Sequence, residues 1–410
     1  MLTKTFKLVC RLVLGLLALL LLLFNCNFHY SPDFDSSAAG AYNEDVHHQL
    51  LHLKNRMHDG AAVDMQAIFP EGFLFMSALY GLAWADLVSG LPINELTDEE
   101  HTVYEAHEEI DWALANIASN TGRRPFREDL PLPYGVFYRG WENVLLGRKV
   151  RLLAPADTSS AQVLTFRQNS DAIAAAFDAA PGTYLESYRN AVWPADNVVA
   201  IASLAAHDRH FNSSRYKSTI ENWLTKVKAN LDPTTGLVPH HTDVRTGAVI
   251  HGARGSSQSL MLSLLPDIDS AFAAGQFAIY EKLFVTERLG LPGVREYPLG
   301  TEGGGDIDSG PVIWGIGGAA SLVGQRAAAK NGRHDLYLGL RNSVEAFGLA
   351  HTLFGRKKYL FGQLPIADAF IAWSNAVEHS KIEGKRPVPW LIHGVSLLVL
   401  GLMGWIGYKI

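Results

Sequence analysis

The stretch Thr97–Gly122, TDEEHTVYEAHEEIDWALANIASNTG, decides the fold class. Thr97 and Glu100 have the spacing of a capping box, in which each side chain reaches the other residue's free backbone N–H. Val103, His107, Ile110, Leu114 and Ile117 then recur at steps of three and four. That is one face of a helix with 3.6 residues per turn, and Gly122 can end it. The same periodicity runs outward between about Tyr42 and Ser380, predicting helices over 44–57, 70–89, 98–120, 135–150, 158–179, 196–208, 213–229, 255–265, 268–288, 311–329, 333–349 and 363–378. Turn chemistry such as Asp232-Pro-Thr-Thr-Gly236 and Leu291-Pro-Gly293 separates them, with no convincing run of alternating strands. No period is strict enough for the usual solenoid repeats. Antiparallel helices in this number predict an all-α (α/α)6 barrel, or toroid, with six inner helices ringed by six outer ones and a cleft lined by loops at one end. An open helical solenoid is the structural alternative.

Composition sets the outer bounds. The 410 residues are 48% hydrophobic and 19% charged, as in a folded protein. A net charge of -6, with the two signs interspersed, leaves no electrostatic footprint for nucleic acid. Both cysteines, Cys10 and Cys26, lie in the N-terminal apolar segment, so the folded part has no thiol for a disulfide, a nucleophile or a thiolate metal site.

Both ends are apolar. Leu12–Phe24, LVLGLLALLLLLF, follows Lys4, Lys7 and Arg11 and precedes a stretch whose charges up to Asp45 are all acidic. The basic flank belongs in the cytoplasm. A signal peptide competes with an uncleaved anchor here, but the nearest small-residue cluster, Ser36–Ala41, sits far beyond the apolar run, which favours the anchor. The C-terminal stretch from Trp390, WLIHGVSLLVLGLMGWIGYKI, is long enough to cross a bilayer, with Trp390, Trp405 and Tyr408 at its edges. Its upstream Lys381, Lys385 and Arg386 oppose export under the charge rule, which weakens across long translocated domains. A helix lying on the domain or at the interface is the alternative. The division is then a membrane anchor or signal peptide at 1–29, an acidic linker and first helix at 30–68, the barrel at 69–380 on the extracytoplasmic side, and a transmembrane helix at 388–409.

Four stretches carry candidate chemistry. Gly303–Gly318, GGGDIDSGPVIWGIGG, lacks the Gly-Lys-Ser/Thr ending of a phosphate loop and the spacing of an EF-hand. It reads as an acid-bearing loop entering a helix at Pro311, capped by Asp308 or Ser309. Glu302, Asp306 and Asp308 at a barrel mouth suit general acid/base work. Tyr188, Arg189, Trp193, Asp196 and Asn197 crowd a second helix start, where Asp196 is placed as an N-cap and the aromatic faces could meet a polar ring or an allylic cation. Arg139-Gly-Trp141-Glu142-Asn143 is the third stretch and Ala253-Arg254-Gly-Ser256-Ser-Gln258 the fourth. The histidine pairs His48/His52 and His207/His210 lack an acidic companion motif, so no metal is expected; one of His240, His241 and His251 could act as a base.

At these residues the chain resembles the linalool dehydratase/isomerase family. The match runs with gaps from about Phe69 to Trp373, on Leu79-Tyr-Gly-Leu-Ala83, Gly140-x-x-Asn143, Pro194-Ala-Asp196-Asn197, Leu231-Asp-Pro233 with Gly236, Gly247-Ala-Val249, Val294-Arg-Glu296 and the acidic glycine-rich loop. The resemblance implies an (α/α)6 barrel and acid/base elimination and isomerisation of a terpenoid alcohol without a cofactor. Trp193 and Ala202 stand where the family has active-site cysteines, and Trp141 where it has a histidine. The expected catalytic groups are therefore the carboxylates Asp306, Asp308, Glu142, Asp196 and Glu302. The expected substrate contacts are Trp141, Tyr188, Arg189, Trp193, Asn197, Arg254, Gln258 and Glu296. Glu142, Asp196, Arg254 and Asp306 should converge at one end of the barrel. The partners expected are a small-molecule or glycan substrate and the lipid bilayer. A membrane-anchored lyase or isomerase is the first reading, with a carbohydrate-active (α/α)6 enzyme and a non-catalytic binding barrel as alternatives.

Overall fold

The computed structural model describes the chain except residues 1–3, 38–39, 92–97, 154–158, 308 and 386–387. Thr97 of the capping box and Asp308 therefore lie outside the described residues. The molecule is mostly helical, at 62%. Its helices are α1 (Lys4–Asn27), α2 (Glu44–His58), α3 (Ala61–Ile68), α4 (Gly72–Val88), α5 (Asp98–Ala118), α6 (Asn120–Arg123), α7 (Gly135–Arg151), α8 (Ala161–Ala179), α9 (Pro194–His210), α10 (Lys217–Ala229), α11 (Gly255–Leu262), α12 (Ser270–Phe284), α13 (Gly318–Lys330), α14 (His334–Phe347), α15 (Pro365–Asn375) and α16 (Trp390–Lys409).

Two kinds of helix follow from two patterns. In α5 the buried apolar residues among those described are Val103, Ala106, Ile110, Ala113 and Ile117, while Tyr104, Glu108 and Asp111 face solvent. This is the one-sided stripe of a helix that covers a core. By contrast α4, GFLFMSALYGLAWADLV, is apolar all round, and every residue but Phe75 is buried. Such a helix has to be inside. It touches α7, α7 touches α9, α9 touches α11, α11 touches α13, α13 touches α15, and α15 returns to α4. The amphipathic α2, α5, α8, α10, α12 and α14 each pack on one or more of these six.

Short hairpins correct the strand-free expectation. Among the described residues, β1 (Phe34–Ser37) pairs with β2 (Gly40–Asn43), β3 (His241–Thr242) with β4 (Val249–His251), β5 (Val285–Arg288) with β6 (Leu291–Val294), β7 (Val312–Ile313) with β8 (Ile316–Gly317), and β9 (His351–Leu353) with β10 (Arg356–Lys358). Strands of two to four residues are too short to show alternation. The turns are disguised as well. Leu289-Gly290, Trp314-Gly315 and Phe354-Gly355 all have positive φ at both positions, the signature of a type I′ hairpin turn, where Asn-Gly or Asp-Gly is usual.

Two further corrections concern helix starts. Pro311 does not open a helix: it precedes β7, and α13 begins at Gly318 after the hairpin. Ser309 serves that start through its carbonyl, which accepts from the Ala319 N–H at 3.1 Å. Asp196 is not an N-cap either, because Pro194 takes the first helical position and Trp193 stands at the cap with no side-chain bond. A proline suits that position since it has no N–H to lose.

The terminal helices α1 and α16 are long and apolar enough to cross a membrane by length and composition. They pair antiparallel, with Arg11 Nε donating to the Gly407 carbonyl at 3.2 Å near one end and Asn25 meeting His393 at 2.7 Å near the other. The body grips their near end. Asn27 Nδ2 donates to the Glu345 and Ala350 carbonyls, Asn342 Nδ2 donates to the Phe28 carbonyl, and Phe28, Leu291, Ala346 and Ile392 form one small core.

Candidate functional site

Backbone hydrogen bonds stitch several helix entries into one face. Val136 N–H donates to the Glu186 carbonyl at the start of α7, and Thr242 N–H to the Val192 carbonyl before α9. Gly255 N–H, opening α11, donates to the Glu296 carbonyl at 2.8 Å, and Glu296 N–H to the Gly315 carbonyl at 3.1 Å. Gly255 has to be a glycine: a Cβ there would stand 1.9 Å from the Arg295 carbonyl oxygen. The loops before α7, α9, α11 and α13 therefore share one end of the molecule.

Arg254 is the centre of that end. Its Nε donates to Glu296 Oε1 at 2.8 Å, its Nη1 to Asp306 Oδ2 at 2.6 Å, and its guanidinium lies over the Tyr297 ring at 5.3 Å. Glu296 also accepts from the Ser256 N–H at 3.2 Å and the Ser256 hydroxyl at 2.8 Å, an anion on the first turn of α11, where the helix dipole favours it. Asp306 and Ser309 close a reciprocal turn: Ser309 N–H donates to Asp306 Oδ1, and Asp306 N–H donates to the Ser309 hydroxyl. Arg254 Nη2 is buried with no partner among the described residues.

Environment drives the titrating groups apart. Burial by itself would raise Asp306, but the hydrogen bonds from Arg254 and Ser309 outweigh it and hold the carboxyl well below its ordinary range. Glu296 is fully buried, and its loss of water raises it despite the same guanidinium. His240 is pushed down to about 3 by burial first and then by Arg254, with Nδ1 in contact with the Ser257 hydroxyl. It is neutral at pH 7. Beyond it, Trp193 stacks on His241 at 5.0 Å and meets Tyr188 edge-on at 5.5 Å, and Tyr188 lies against Phe126 and Phe137.

Among the described residues, the structure brings Arg254, Glu296 and Asp306 together and gives the other expected ones different partners. Glu302 shares the loop but points outward, 3.5 Å from Arg295. Arg189 is exposed and pairs with Asp129. Asp196 is buried in the first turn of α9. Asn197 is occupied as a clamp, accepting from Leu185 N–H at 2.7 Å and donating to the Leu185 and Trp193 carbonyls, and Gln258 Nε2 is spent on the Val238 carbonyl at 2.6 Å. Trp141 has no exposed face; it packs on Phe75, Phe137 and Trp373. Glu142 is held by Tyr138, Arg139 and Asn169 of α8 and not by Arg254. One residue along a helix turns the side chain by about 100°, so with Trp141 facing α4 and α15 its neighbour faces α8. Sequence reasoning passed over Tyr297, and it named Ser309 only as a helix cap and Ser257 only within its stretch. Tyr297 directly follows the singled-out Glu296, which was the available signal.

Comparison with protein-family models and with curated proteins found no match to the chain.

Proposed function

We propose that this chain is a membrane-anchored toroid of the linalool dehydratase/isomerase kind, a lyase or isomerase that moves a proton on an oxygen-bearing, largely apolar molecule. The toroid is supported by the succession of contacts α4, α7, α9, α11, α13, α15 and back to α4, the order the inner helices of a toroid would have. The activity rests on one observation, the Arg254 cluster at the shared end of the helix entries. Asp306 is part-exposed and ionised, so it accepts a proton or faces a developing cation, and it does not serve as the acid. Arg254 offers the Nη2 N–H groups to an oxygen, and neutral His240 is a second proton acceptor beside it.

A non-catalytic binding barrel is the alternative with an observation in its favour. Glu142 is paired with Arg139, Glu296 and Asp306 with Arg254, and Glu302 with Arg295. The carbohydrate alternative loses one expected platform, because Trp141 is a core residue with no exposed face.

Screening full-length protein in lipid vesicles against terpenoid alcohols and oligosaccharides, with products read by mass spectrometry, tests the activity. His240→Gln should lower turnover about 10²-fold if His240 transfers a proton. Because its folded pKa lies far below the ordinary 6.5, the wild-type pH–rate profile should show no acid limb from this imidazole near that value. Sign matters for stability too: below pH 6.5 the unfolded chain takes up the proton that folded His240 refuses, so acid destabilises the fold and His240→Gln should relieve part of that loss. Ligand binding without turnover in the wild type would select the binding barrel.

The helix pair supports a body on the extracytoplasmic side. Being antiparallel, α1 and α16 place Lys4, Lys7 and Arg11 at the same end as Lys409, away from the body, and basic flanks stay cytoplasmic. Protease outside intact cells, or in the periplasm of a two-membrane host, should digest the domain. Protection until the inner membrane is opened would reverse the orientation.

A further inference from the structure

The segment between α12 and α13 carries Glu296 and Asp306 and also docks the terminal helices. Leu291 shares a core with Phe28 and Ile392, Ser343 Oγ donates to the Pro292 carbonyl at 3.4 Å, and a Cβ on Gly290 would lie 3.9 Å from the Cα of Pro389, the residue before α16. Direction is settled by α14. Phe24 packs on Phe347, at the last residue of α14, with ring centroids 5.2 Å apart, while the Phe28 carbonyl accepts from Asn342, more than a turn earlier. Followed back toward Lys4, α1 thus leaves the body past the C-terminal end of α14.

The same segment exposes Leu289 (47%), Leu299 (66%), Ile307 (60%), Ile313 (63%) and Trp314 (69%). Two of its hairpins lie side by side, for Arg288 Nη2 reaches the Trp314 carbonyl at 3.5 Å and Arg295 bridges to Ile316. Leu289 and Trp314 occupy left-handed turn positions, with φ of 54° and 52°. Bulky side chains are disfavoured there, and these two gain no burial within the chain. Ile307 follows Asp306 directly. A cluster of large apolar side chains in water is unfavourable unless something apolar covers it, and tryptophan is a side chain of the membrane interface.

We propose that this apolar lip rests in the interfacial layer of the bilayer crossed by α1 and α16, so that the Arg254–Asp306 cluster takes its substrate, a lipid-dissolved alcohol, from the membrane. The proposal rests on α1 and α16 being membrane spans. Its occupant is the bilayer because the lip is continuous with the docking site of those two helices.

The test uses the full chain with Cys10→Ser and Cys26→Ser, carrying one new cysteine labelled with an environment-sensitive nitrobenzoxadiazole dye. Ile313→Cys and Leu299→Cys report the lip, and Ser214→Cys, just before α10 on the far side, is the control. In phosphatidylcholine vesicles with nitroxides high on the acyl chains, the dye at Ile313 or Leu299 should be quenched several-fold more than at Ser214. Equal quenching at lip and control, in protein that resists alkaline carbonate extraction, overturns the lip and leaves the anchor standing. Release by carbonate removes both.

Discussion

Asp306→Asn should lower turnover by about 10²–10⁴-fold, the usual contribution of general acid/base assistance, with the fold intact. The amide keeps an oxygen to accept from Arg254 Nη1 or from the Ser309 N–H, so the loop retains its shape. What it loses is charge. The wild-type carboxyl is held ionised by Arg254 and Ser309, whereas an amide cannot take a proton at neutral pH. The side chain is 44% exposed, so solvent screens the ion pair and its removal should change stability by at most about 1 kcal/mol. Turnover and melting of wild type and variant, measured on the same vesicle preparations, separate the two effects. Full activity in Asp306→Asn would move the chemistry to His240. A collapsed melting transition would make Asp306 a structural tie.

The largest loss of stability is expected from Asp86→Ala. Asp86, in α4, accepts from Arg326 Nη2 of α13 at 2.6 Å and lies 3.6 Å from Arg148 Nε of α7. Arg326 is almost fully buried, donates to the Trp373 carbonyl of α15 at 2.6 Å and sits over the Trp373 ring at 4.4 Å. Removing the carboxylate strands a buried guanidinium beside a second one, and breaking such a pair from one side costs about 3–5 kcal/mol. The melting temperature should fall by about 5–10 °C. A shift of less than about 2 °C would mean that solvent or another carboxylate reaches Arg326, and that these four helices do not depend on the contact. Replacing both partners with apolar residues of similar volume should be far less damaging than the single change.

Helix type was legible in the residues because burial is periodic. The stripe of Val103, Ile110 and Ile117 marks α5 as a covering helix, and the all-apolar α4 can only be interior. Terminal apolar runs and basic flanks were equally local, being properties of consecutive residues. Arg254 and Asp306 were named in advance, for their types and loop positions, yet neither spacing nor composition says that a guanidinium will meet a carboxylate 52 positions away. Glu142 looked as good as Asp306 by residue type and helix context. Which direction each side chain faces depends on the helix next door: α8 claims Glu142, while the stitched loops before α11 and α13 bring Asp306 to Arg254. The charge state of Asp306 was settled the same way, as a held anion where the sequence left acid and base open, because a pKa is set by desolvation and by partners brought from elsewhere in the chain. Local periodicity therefore determined that this protein is helical, which helices are interior and where it can enter a membrane. Side-chain meetings between helices, the hairpins hidden behind Leu-Gly and Trp-Gly turns, and the polarity of the cluster were left to tertiary packing, since each depends on groups far apart in sequence and their removal from water.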